Sequence, residues 1–422
     1  MSRRFYLLVG VAVLLAACVW TALSWWSKAV QVEFSDLPAV PAGRWNTLPP
    51  GRVASEAEDA MARVMSLPYV SGRHEAEERS GVVFHDPALA MEGVNLYVSG
   101  HGPEALLLDM DGRVLHRWRL PFEKAFKEVK GSVNTAYWRR AHLLPDGSLL
   151  AIFQAGGMVK VDRDSNLLWA VDEGFYNDLE VTDDGTILAI GKAARVVPEI
   201  NPDERVLEEF IVAVSADGHV VGRLSLLQAF LASPFSELLA PMRDRGDIFH
   251  ANTVEWLDGS RSERSELFRK GNLLVSLREV DIVAIVDPVR EVVEWAARGP
   301  WDAQHQPTLL EDGSLLMFDN RGAKGSARAL EFDLANGERT WEYAGAEGER
   351  LVSPEAGSCQ RLAGGTTLIT ESERGRAIEI TRDGEVVWEF LSPHRAGPQR
   401  NLVATLFEVV RMPREATGFL DG

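Results

Sequence analysis

One pattern of apolar and polar positions recurs along the chain from about residue 93. In the strongest copies an apolar strand leads into a turn of the form x-Asp-Gly or x-Asn-Gly, and the strand after the turn ends in tryptophan. Five copies end at Trp118, Trp169, Trp295, Trp341 and Trp388, and a sixth, which has lost its tryptophan, ends at Leu224. Successive copies end 51, 55, 71, 46 and 47 residues apart, which is the spacing of four-stranded propeller blades.

A second hairpin signature lies between these copies. Asp-Gly or Gly-Gly separates short apolar runs, and the glycine supplies the positive φ that a tight turn requires. Two hairpins in each of six repeats predict an all-β fold, a six-bladed β-propeller around a central channel. The alternating segment 401–411 is expected to close the ring against the first blade. The longest interval is expected to hold a helical insertion near residues 225–240.

The N-terminal segment has the features of a membrane anchor. Ser2-Arg3-Arg4 precedes an uncharged run from Phe5 to Trp26, which is long enough to cross a bilayer as a transmembrane helix. Arginines before the run and only Lys28 after it favour a cytoplasmic N-terminus with the rest of the chain outside. The alternative is a lipoprotein signal, since Leu-Ala-Ala-Cys18 has the form of a lipoprotein cleavage site. The apolar run continues past Cys18, which favours the uncleaved anchor.

These features divide the chain into three regions. We expect a membrane anchor at residues 1–28, a linker with a short helical region at 29–88, and the propeller at 89–415. Both interpretations of the N-terminus place the propeller in the periplasm or outside the cell, tethered to the inner membrane in the case of the uncleaved anchor. The only cysteines are Cys18 and Cys359, so the propeller has no internal disulfide from which a compartment could be inferred.

The charge balance narrows the choice of partner. The chain has 62 acidic and 44 basic residues, a formal net charge of −18. Nucleic acid is therefore excluded as the expected partner, because phosphate binding requires clustered lysine and arginine. An anionic small molecule remains compatible with this charge, since a few arginines in a pocket dominate the local field.

Polar residues stand where the innermost strands of several blades are predicted to begin, and such residues converge on the channel of a propeller. The segments are Trp138–His142, Tyr176–Asp178, Asp247–Asn252, Gln304–Gln306 and Gly357–Gln360, with Arg278 and Asn320-Arg321 nearby. Histidines and arginines that meet in one channel make an anion site with a candidate nucleophile. A single histidine before a strand is more often a hydrogen-bonding residue. His250 and His305, however, occupy equivalent places in adjacent repeats, each followed closely by an amide side chain.

Two metal-binding interpretations are weaker. A three-histidine site that includes His142 lacks a close-spaced ligand pair. The Asp-x-Asp-Gly at residues 109–112 has no glutamate at calcium-loop spacing, so turn chemistry accounts for it. No metal is assigned.

Two motifs carry a resemblance to a known family. They are Asp-Ile-Phe-His250-Ala-Asn-Thr-Val and a longer one that begins Gln-His305-Gln-Pro and ends Phe-Asp-Asn320-Arg321-Gly. In this order they resemble the arylsulfotransferase family, bacterial enzymes that pass sulfate between phenols without the nucleotide donor PAPS. The resemblance extends from about Gly93 to Glu408. It implies a six-bladed propeller, a sulfurylated histidine intermediate and ping-pong turnover with no cofactor.

The resemblance also implies roles for named residues. His250 and His305 would be catalytic histidines of the channel, and Arg321 would stabilise the sulfuryl oxygens. We assign substrate binding to further polar residues of the predicted channel, namely Asn252, Gln304, Asn320, Arg278, His142, Asn177, Ser358 and Gln360.

The chain departs from the family at two positions. No residue clearly matches the family's nucleophilic histidine: the corresponding place holds Ser358-Cys359-Gln360, and His394, in Ser-Pro-His, is expected in a loop between blades. The place of a second-blade histidine pair holds Tyr176-Asn177-Asp178. Soluble members also carry a disulfide that this chain lacks. Either His250 or His305 therefore serves as the nucleophile, or sulfotransfer has been lost.

Three hypotheses of function remain. The first is an arylsulfotransferase-like enzyme whose partners are a small aromatic sulfate ester and a phenol acceptor. The second is a non-catalytic envelope propeller that binds a protein or glycan through the same channel or the helical insertion. The third, a quinone-dependent dehydrogenase, ranks last because that class needs an acidic, calcium-bearing pocket and typically eight blades.

Overall fold

The computed structural model describes residues 72, 74–127, 137–322, 325–334, 336–346, 348–397 and 399–420. The predicted membrane anchor and most of the predicted linker lie outside the described residues. In the part of the chain that is described, no helix combines the length and apolarity needed to cross a membrane.

Six antiparallel sheets form a closed ring, so the predicted six-bladed propeller is confirmed. From the channel outward, blade 1 consists of Leu406–Met412, Val94–Ser99, Glu104–Leu108 and Val114–Arg119, and blade 2 of Trp138–Leu143, Leu149–Phe153, Gly157–Val161 and Leu167–Val171. Blade 3 consists of Phe175–Val181, Ile187–Val197, Asn201–Val214 and Val220–Ser225, and blade 4 of Ala251–Trp256, Leu273–Leu277, Ile282–Asp287 and Val292–Arg298. Blade 5 consists of His305–Leu309, Ser314–Asp319, Arg328–Asp333 and Arg339–Tyr343, and blade 6 of Ser358–Arg361, Thr367–Glu371, Arg376–Ile380 and Val386–Leu391.

Shorter elements connect the blades. The predicted insertion after blade 3 is confirmed as an α-helix, Leu226–Leu231, followed by a 3-10 turn, Ser236–Leu239. The other short elements are a helix at Phe122–Ala125, 3-10 turns at Glu266–Phe268, Arg278–Val280 and Arg414–Leu420, a two-residue strand at Gly246–Asp247, and the small hairpins Gly345–Ala346 with Glu349–Arg350 and Arg395–Ala396 with Leu402–Val403.

Both ends of the described chain close the ring. Strand Leu406–Met412 pairs antiparallel with Val94–Ser99 and becomes the innermost strand of blade 1, as the alternating pattern of the segment predicts. Strand Gly81–His85 pairs with Val386–Leu391 as a fifth, outermost strand of blade 6, a pairing that the sequence pattern did not indicate. Ring closure thus depends on contacts between residues more than 300 positions apart in the sequence.

The recurring tryptophan joins neighbouring blades. In four blades its indole N–H donates to a backbone carbonyl in a turn of the next blade, so that it fastens neighbouring sheets together. These bonds run from Trp118 to Gly147 (3.0 Å), Trp169 to Ala216 (3.1 Å), Trp341 to Arg382 (2.9 Å) and Trp388 to Met110 (2.9 Å). Trp118 and Trp388 are fully buried at these interfaces, and burying an aromatic ring while satisfying its polar atom favours tryptophan there.

The Asp-Gly turns also behave as the sequence predicts. Gly112 and Gly313 have φ values of 83° and 85°, a conformation that glycine adopts without steric cost. The Asp109 carboxylate accepts hydrogen bonds from the backbone N–H groups of Asp111 (3.0 Å) and Arg113 (2.8 Å). Its role is therefore turn chemistry, in agreement with the interpretation preferred from the sequence.

Candidate functional site

The innermost strands of blades 2 to 5 each contain an irregularity in pairing near the residue at which the strand begins. Residues at or beside these points, Asn177, His250 and Gln306, have φ values of 60°, 49° and 49°. A β-bulge bends a strand and redirects a side chain, and it is common beside active sites. Polar groups from different blades thus converge at one end of the channel.

A small cavity lies between these strand ends. Its volume is about 20 Å³, room for one or two water molecules. It is lined by residues from blades 1 to 6, namely Arg139, Arg140, Asn177, Asp178, Asn252, His305, Gln306, Gly357, Phe407 and Glu408. Arg140 lies 2.8 Å from the Asp178 carboxylate and also pairs with Glu408, so two carboxylates of the cavity lining bind this arginine.

His305 lines this cavity and is held from behind by neutral acceptors. Its Nδ1 lies 2.7 Å from Asn320 Oδ1 and 3.1 Å from the carbonyl oxygen of Ala303. Because both partners accept, Nδ1 carries the proton, and the lone pair of the neutral ring is on Nε2. Burial and then the Arg278 guanidinium lower the pKa of His305 well below its ordinary value. His305 is therefore neutral at neutral pH.

His250 is held from behind by a carboxylate. Its Nδ1 lies 2.7 Å from Asp247 Oδ2, and its backbone N–H donates to Asp247 Oδ1 over 3.1 Å. This contact also assigns the proton to Nδ1 and the lone pair to Nε2. Burial lowers the pKa of His250 while Asp247 opposes the shift, so this imidazole too is neutral at rest.

Arg278 is the arginine that the fold brings to the two histidines. It begins a 3-10 turn after the second strand of blade 4, and its backbone N–H donates to the carbonyl oxygen of His250 over 3.2 Å. Its buried guanidinium lowers the pKa of both histidines and lies 2.7 Å from Glu355 Oε2. The Arg321 side chain is 44% exposed and lies 3.7 Å from both Asp302 and Glu355. The two arginines thus share Glu355 but differ in burial.

Three more of the predicted binding residues support the channel wall. Asn177 and Asn252 line the cavity, and each donates its amide N–H to a backbone carbonyl of the next blade, Ala251 (3.0 Å) and Gln304 (2.7 Å) respectively. Asn320 donates to the carbonyl oxygens of Ser353 (2.6 Å) and Ala356 (2.8 Å) while its own oxygen holds His305. Its orientation is therefore fixed on both sides.

The amides of Gln304 and Gln360 are engaged within the sheets. Gln304 Nε2 donates to the hydroxyl of Ser276 (3.1 Å) and the carbonyl of Ile282 (3.0 Å). Gln360 exchanges two hydrogen bonds with the backbone of Arg411, at 3.0 and 2.9 Å. The bonds of Gln304 join the start of blade 5 to blade 4, and those of Gln360 join blade 6 to the closing strand of blade 1. Neither amide is part of the cavity lining.

The remaining predicted residues are Ser358 and His142. Ser358 is buried at the start of the inner strand of blade 6. His142 lies two residues beyond Arg140 on the same strand face, and burial together with Arg140 lowers its pKa to about 4. Among the residues that the structure describes, no three histidine, cysteine or acidic side chains are arranged to hold a metal ion.

The family model of the arylsulfotransferases (ASST) matches residues 140–394, which is more than half of the chain. The chain belongs to the arylsulfotransferase family. No curated protein sequence matches it.

Solved structures with a similar fold have low sequence identity to this chain. A Bacteroides caccae protein of unknown function is 13% identical, with 76% of this chain and 98% of that chain covered and a TM-score of 0.48. A catalytically inactive virginiamycin B lyase from Staphylococcus aureus is 12% identical, with 74% and 88% covered and a TM-score of 0.41. BamB from Moraxella catarrhalis is 12% identical, with 76% of each chain covered and a TM-score of 0.34. Similarity at this level carries no argument about function.

Because the chain belongs to this family, the residue that stands in place of the family's nucleophilic histidine bears on which group attacks sulfur. Cys359, at the place where the family resemblance locates a histidine, is fully buried in an apolar cluster, and burial raises the pKa of its thiol. A thiol that stays protonated is a poor nucleophile. His305, which lines the cavity, and His250, which lies outside that lining but near enough to lower the pKa of His305, are therefore the nucleophile candidates in this member of the family.

Arg139, Gln306 and Asp247 lie in polar segments that the sequence places at the channel, but sequence reasoning assigned no role to any of them. In the structure Arg139 and Gln306 line the cavity, and Asp247 contacts His250. Their place in those segments was the signal. Lys192, which lies 2.6 Å from Asp247, had no such signal because it comes from a different blade.

Proposed function

We propose that the chain transfers a sulfuryl group from a phenolic sulfate ester to an acceptor phenol, and that His305 is the nucleophile. The observation that carries this proposal is that His305 lines the cavity with its Nδ1–H bound to Asn320 and Ala303. Nε2 of the neutral ring therefore bears the lone pair that attack on sulfur requires.

The proposed reaction has two half-reactions. In the first, His305 Nε2 bonds to sulfur, the bond between sulfur and the ester oxygen breaks, and the donor phenolate leaves. In the second, the oxygen of the acceptor phenol bonds to the same sulfur, the nitrogen–sulfur bond breaks, and the phenol proton passes to a base. The net reaction exchanges one phenol for another and needs no nucleotide or metal.

Positive charge beside His305 supports the same proposal. Charge-assisted donors directed at developing oxyanion charge are worth about 2.7–4 kcal/mol each in enzymes that use them. Arg278 lies close enough to lower the pKa of His305, and Arg139 lines the cavity with its guanidinium 5.0 Å from the centre of the Phe407 ring. We propose that these two arginines stabilise the sulfuryl oxygens, with the more exposed Arg321 in a secondary role.

The test is turnover of the purified full-length chain with 4-nitrophenyl sulfate and a panel of phenol acceptors. We expect acceptor-dependent release of nitrophenol and, in the absence of acceptor, a protein whose mass increases by one sulfuryl group. His305→Ala should abolish both. His219→Ala, at a side chain that is 79% exposed, is the control and should change neither. Folded protein that releases no nitrophenol with any acceptor would contradict sulfotransfer and favour a propeller that binds a protein or glycan partner.

We also propose that the propeller acts outside the cytoplasm, tethered to the inner membrane. The support is the uncharged run from Phe5 to Trp26 with arginines on its N-terminal side, which lies outside the described residues. Protease added to spheroplasts of the expressing cells should remove the propeller and leave a cytoplasmic marker intact. Protection of the propeller until the cells are lysed would overturn this location.

A further inference from the structure

A buried group of charged and hydrogen-bonding side chains lies behind His250. Asp247 Oδ2, which contacts His250, also lies 2.6 Å from Lys192 Nζ. Lys192 lies 3.4 Å from Glu209 Oε1 and 3.9 Å from the centre of the Tyr176 ring. Glu209 accepts a hydrogen bond from the Tyr176 hydroxyl and another from the backbone N–H of Ala251 over 2.8 Å. The Lys192 and Glu209 side chains are 4% and 0% exposed.

An extension of blade 3 builds this group. Strands Ile187–Val197 and Asn201–Val214 contain 11 and 14 residues and continue past the end of the sheet as a long hairpin. Lys192 and Glu209 are cross-strand partners in that hairpin. The two-residue strand Gly246–Asp247 pairs with it in parallel at Val206 and Leu207. The extension thus delivers a cation and a carboxylate to the back of a histidine in the next blade.

Asp247 is kept ionised in this setting. Burial alone would raise the pKa of Asp247, but Lys192 and His250 hold it well below its ordinary value. Burial raises the pKa of Glu209 to about 7, with Lys192 opposing the shift. At neutral pH the ion pair is therefore Lys192 with Asp247, and Glu209 carries a proton for part of the time.

Of the two histidines only His305 lines the cavity, and the two also differ in what faces their Nδ1 atoms. Asp247, a carboxylate, faces His250, whereas an amide oxygen and a backbone carbonyl face His305. A proton taken up on Nε2 turns either ring into an imidazolium. A carboxylate stabilises that cation, as in a serine-protease triad, far better than neutral acceptors do. Arg278 and Lys192 are the cations that oppose it on His250.

We propose that His250 is the general acid–base of sulfotransfer and that Asp247, paired with Lys192, is the positioning residue that fixes its tautomer and stabilises its imidazolium. This inference rests on the proposed function. In the second half-reaction the acceptor phenol gives its proton to His250 Nε2 as its oxygen bonds to the sulfur on His305. The nitrogen–sulfur bond breaks, and His305 regains its neutral form. His250 then gives the proton to water or, in the next turnover, to the departing phenolate of the next donor.

The two half-reactions separate this role from that of the nucleophile. Departure of 4-nitrophenolate, the anion of an acidic phenol, requires little proton donation, so sulfurylation of His305 does not depend on His250. Transfer to a weakly acidic acceptor phenol does require a base. General base catalysis contributes about 10²- to 10⁴-fold. In Asp247→Asn we therefore expect the pre-steady-state burst of nitrophenolate to keep its amplitude and its rate within about threefold. Steady-state turnover with an alkylphenol acceptor should fall by about 10²-fold or more.

The dependence on acceptor acidity is the decisive readout. Turnover of Asp247→Asn should recover toward the wild-type value as halogenated phenols of lower pKa replace the alkylphenol, which a merely structural defect would not produce. His250→Gln should give the same pattern without removing either member of the buried ion pair, and it serves if Asp247→Asn fails to fold. The control is Asp217→Asn, since Asp217 lies 3.6 Å from His219 on the surface with both side chains more than 70% exposed. This control should behave as wild type.

Other results would overturn the role. If both variants lose the burst together with turnover, His250 acts before or in sulfurylation and is not the base of the second half-reaction. If both retain wild-type turnover with every acceptor, no proton passes through His250. A wild-type chain that shows neither burst nor transfer would instead refute the proposed function itself, and this role with it.

Discussion

At the scale of single residues, two arginines near the candidate site differ in burial. Arg278 is buried beside His250 and His305, whereas Arg321 is 44% exposed, although both lie near Glu355. If Arg278 stabilises the sulfuryl oxygens, Arg278→Ala should lower kcat/KM for 4-nitrophenyl sulfate by about 10²- to 10³-fold. Arg321→Ala should lower it by much less.

The same pair of variants predicts a change in pH dependence. A histidine nucleophile acts in its neutral form, so kcat/KM falls as the pH drops through the pKa of His305. Arg278 is one of the groups that lower this pKa. Its removal should raise the pKa and move the acid limb of the pH profile to higher pH, while Arg321→Ala leaves the limb in place. A limb that moves to lower pH, or equal losses in the two variants, would contradict the role of Arg278.

The sequence predicts some of these residues and not others, for a physical reason. His250 and His305 occupy equivalent places in consecutive repeats, and equivalent places of a propeller meet in the channel. Gln304 is adjacent to His305, and neighbouring residues of an extended chain point to opposite sides. Its amide therefore turns away from the cavity and donates to Ser276 and Ile282 of blade 4. Which of Arg278 and Arg321 lies beside the histidines depends on burial, and burial cannot be predicted from the spacing of residues in a sequence.

At the scale of elements, local patterns are predictable and long-range pairings are not. The Asp-Gly turns and the five recurring tryptophans follow from patterns of a few residues, and four of these tryptophans link consecutive blades. The long hairpin of blade 3 breaks the pattern because its outer part is rich in charged residues, which in isolation resemble a loop. Strand Gly81–His85 finds its partner only through ring closure. These two unpredicted elements differ in consequence, since only the hairpin contributes side chains to the site.

The same hairpin connects the periphery of blade 3 to the candidate site. The blades supply the inner strand ends on which both histidines stand. The extension supplies Lys192 and Glu209, and through its pairing with Gly246–Asp247 it fixes the carboxylate behind His250. If His250 is the acid–base, substitutions at Lys192 or Glu209 should therefore alter its proton chemistry from the neighbouring blade.

At the scale of the whole molecule, a buried ion pair lies at the point where the ring closes. Arg411 on the closing strand lies 2.9 Å from Glu379 of blade 6, and both side chains are 0% exposed. Arg411 also donates to Asn95 of blade 1 over 2.6 Å and lies 5.0 Å from the centre of the Trp388 ring. One guanidinium thus joins the first and last blades at the point where the chain meets itself.

Removal of one member of this pair should weaken the entire ring. Arg411→Met leaves the Glu379 charge buried without its partner, and losses of about 3–5 kcal/mol are typical of such changes. Urea unfolding followed by tryptophan fluorescence should show a lower midpoint, with Arg414→Met, at an exposed arginine three residues further on, as the unaffected control. The double variant Arg411→Met with Glu379→Gln should recover part of the loss, because it removes the orphaned charge. If the single and double variants unfold at the wild-type midpoint, the closing strand is held by its backbone pairing alone, and the ion pair contributes nothing to the stability of the propeller.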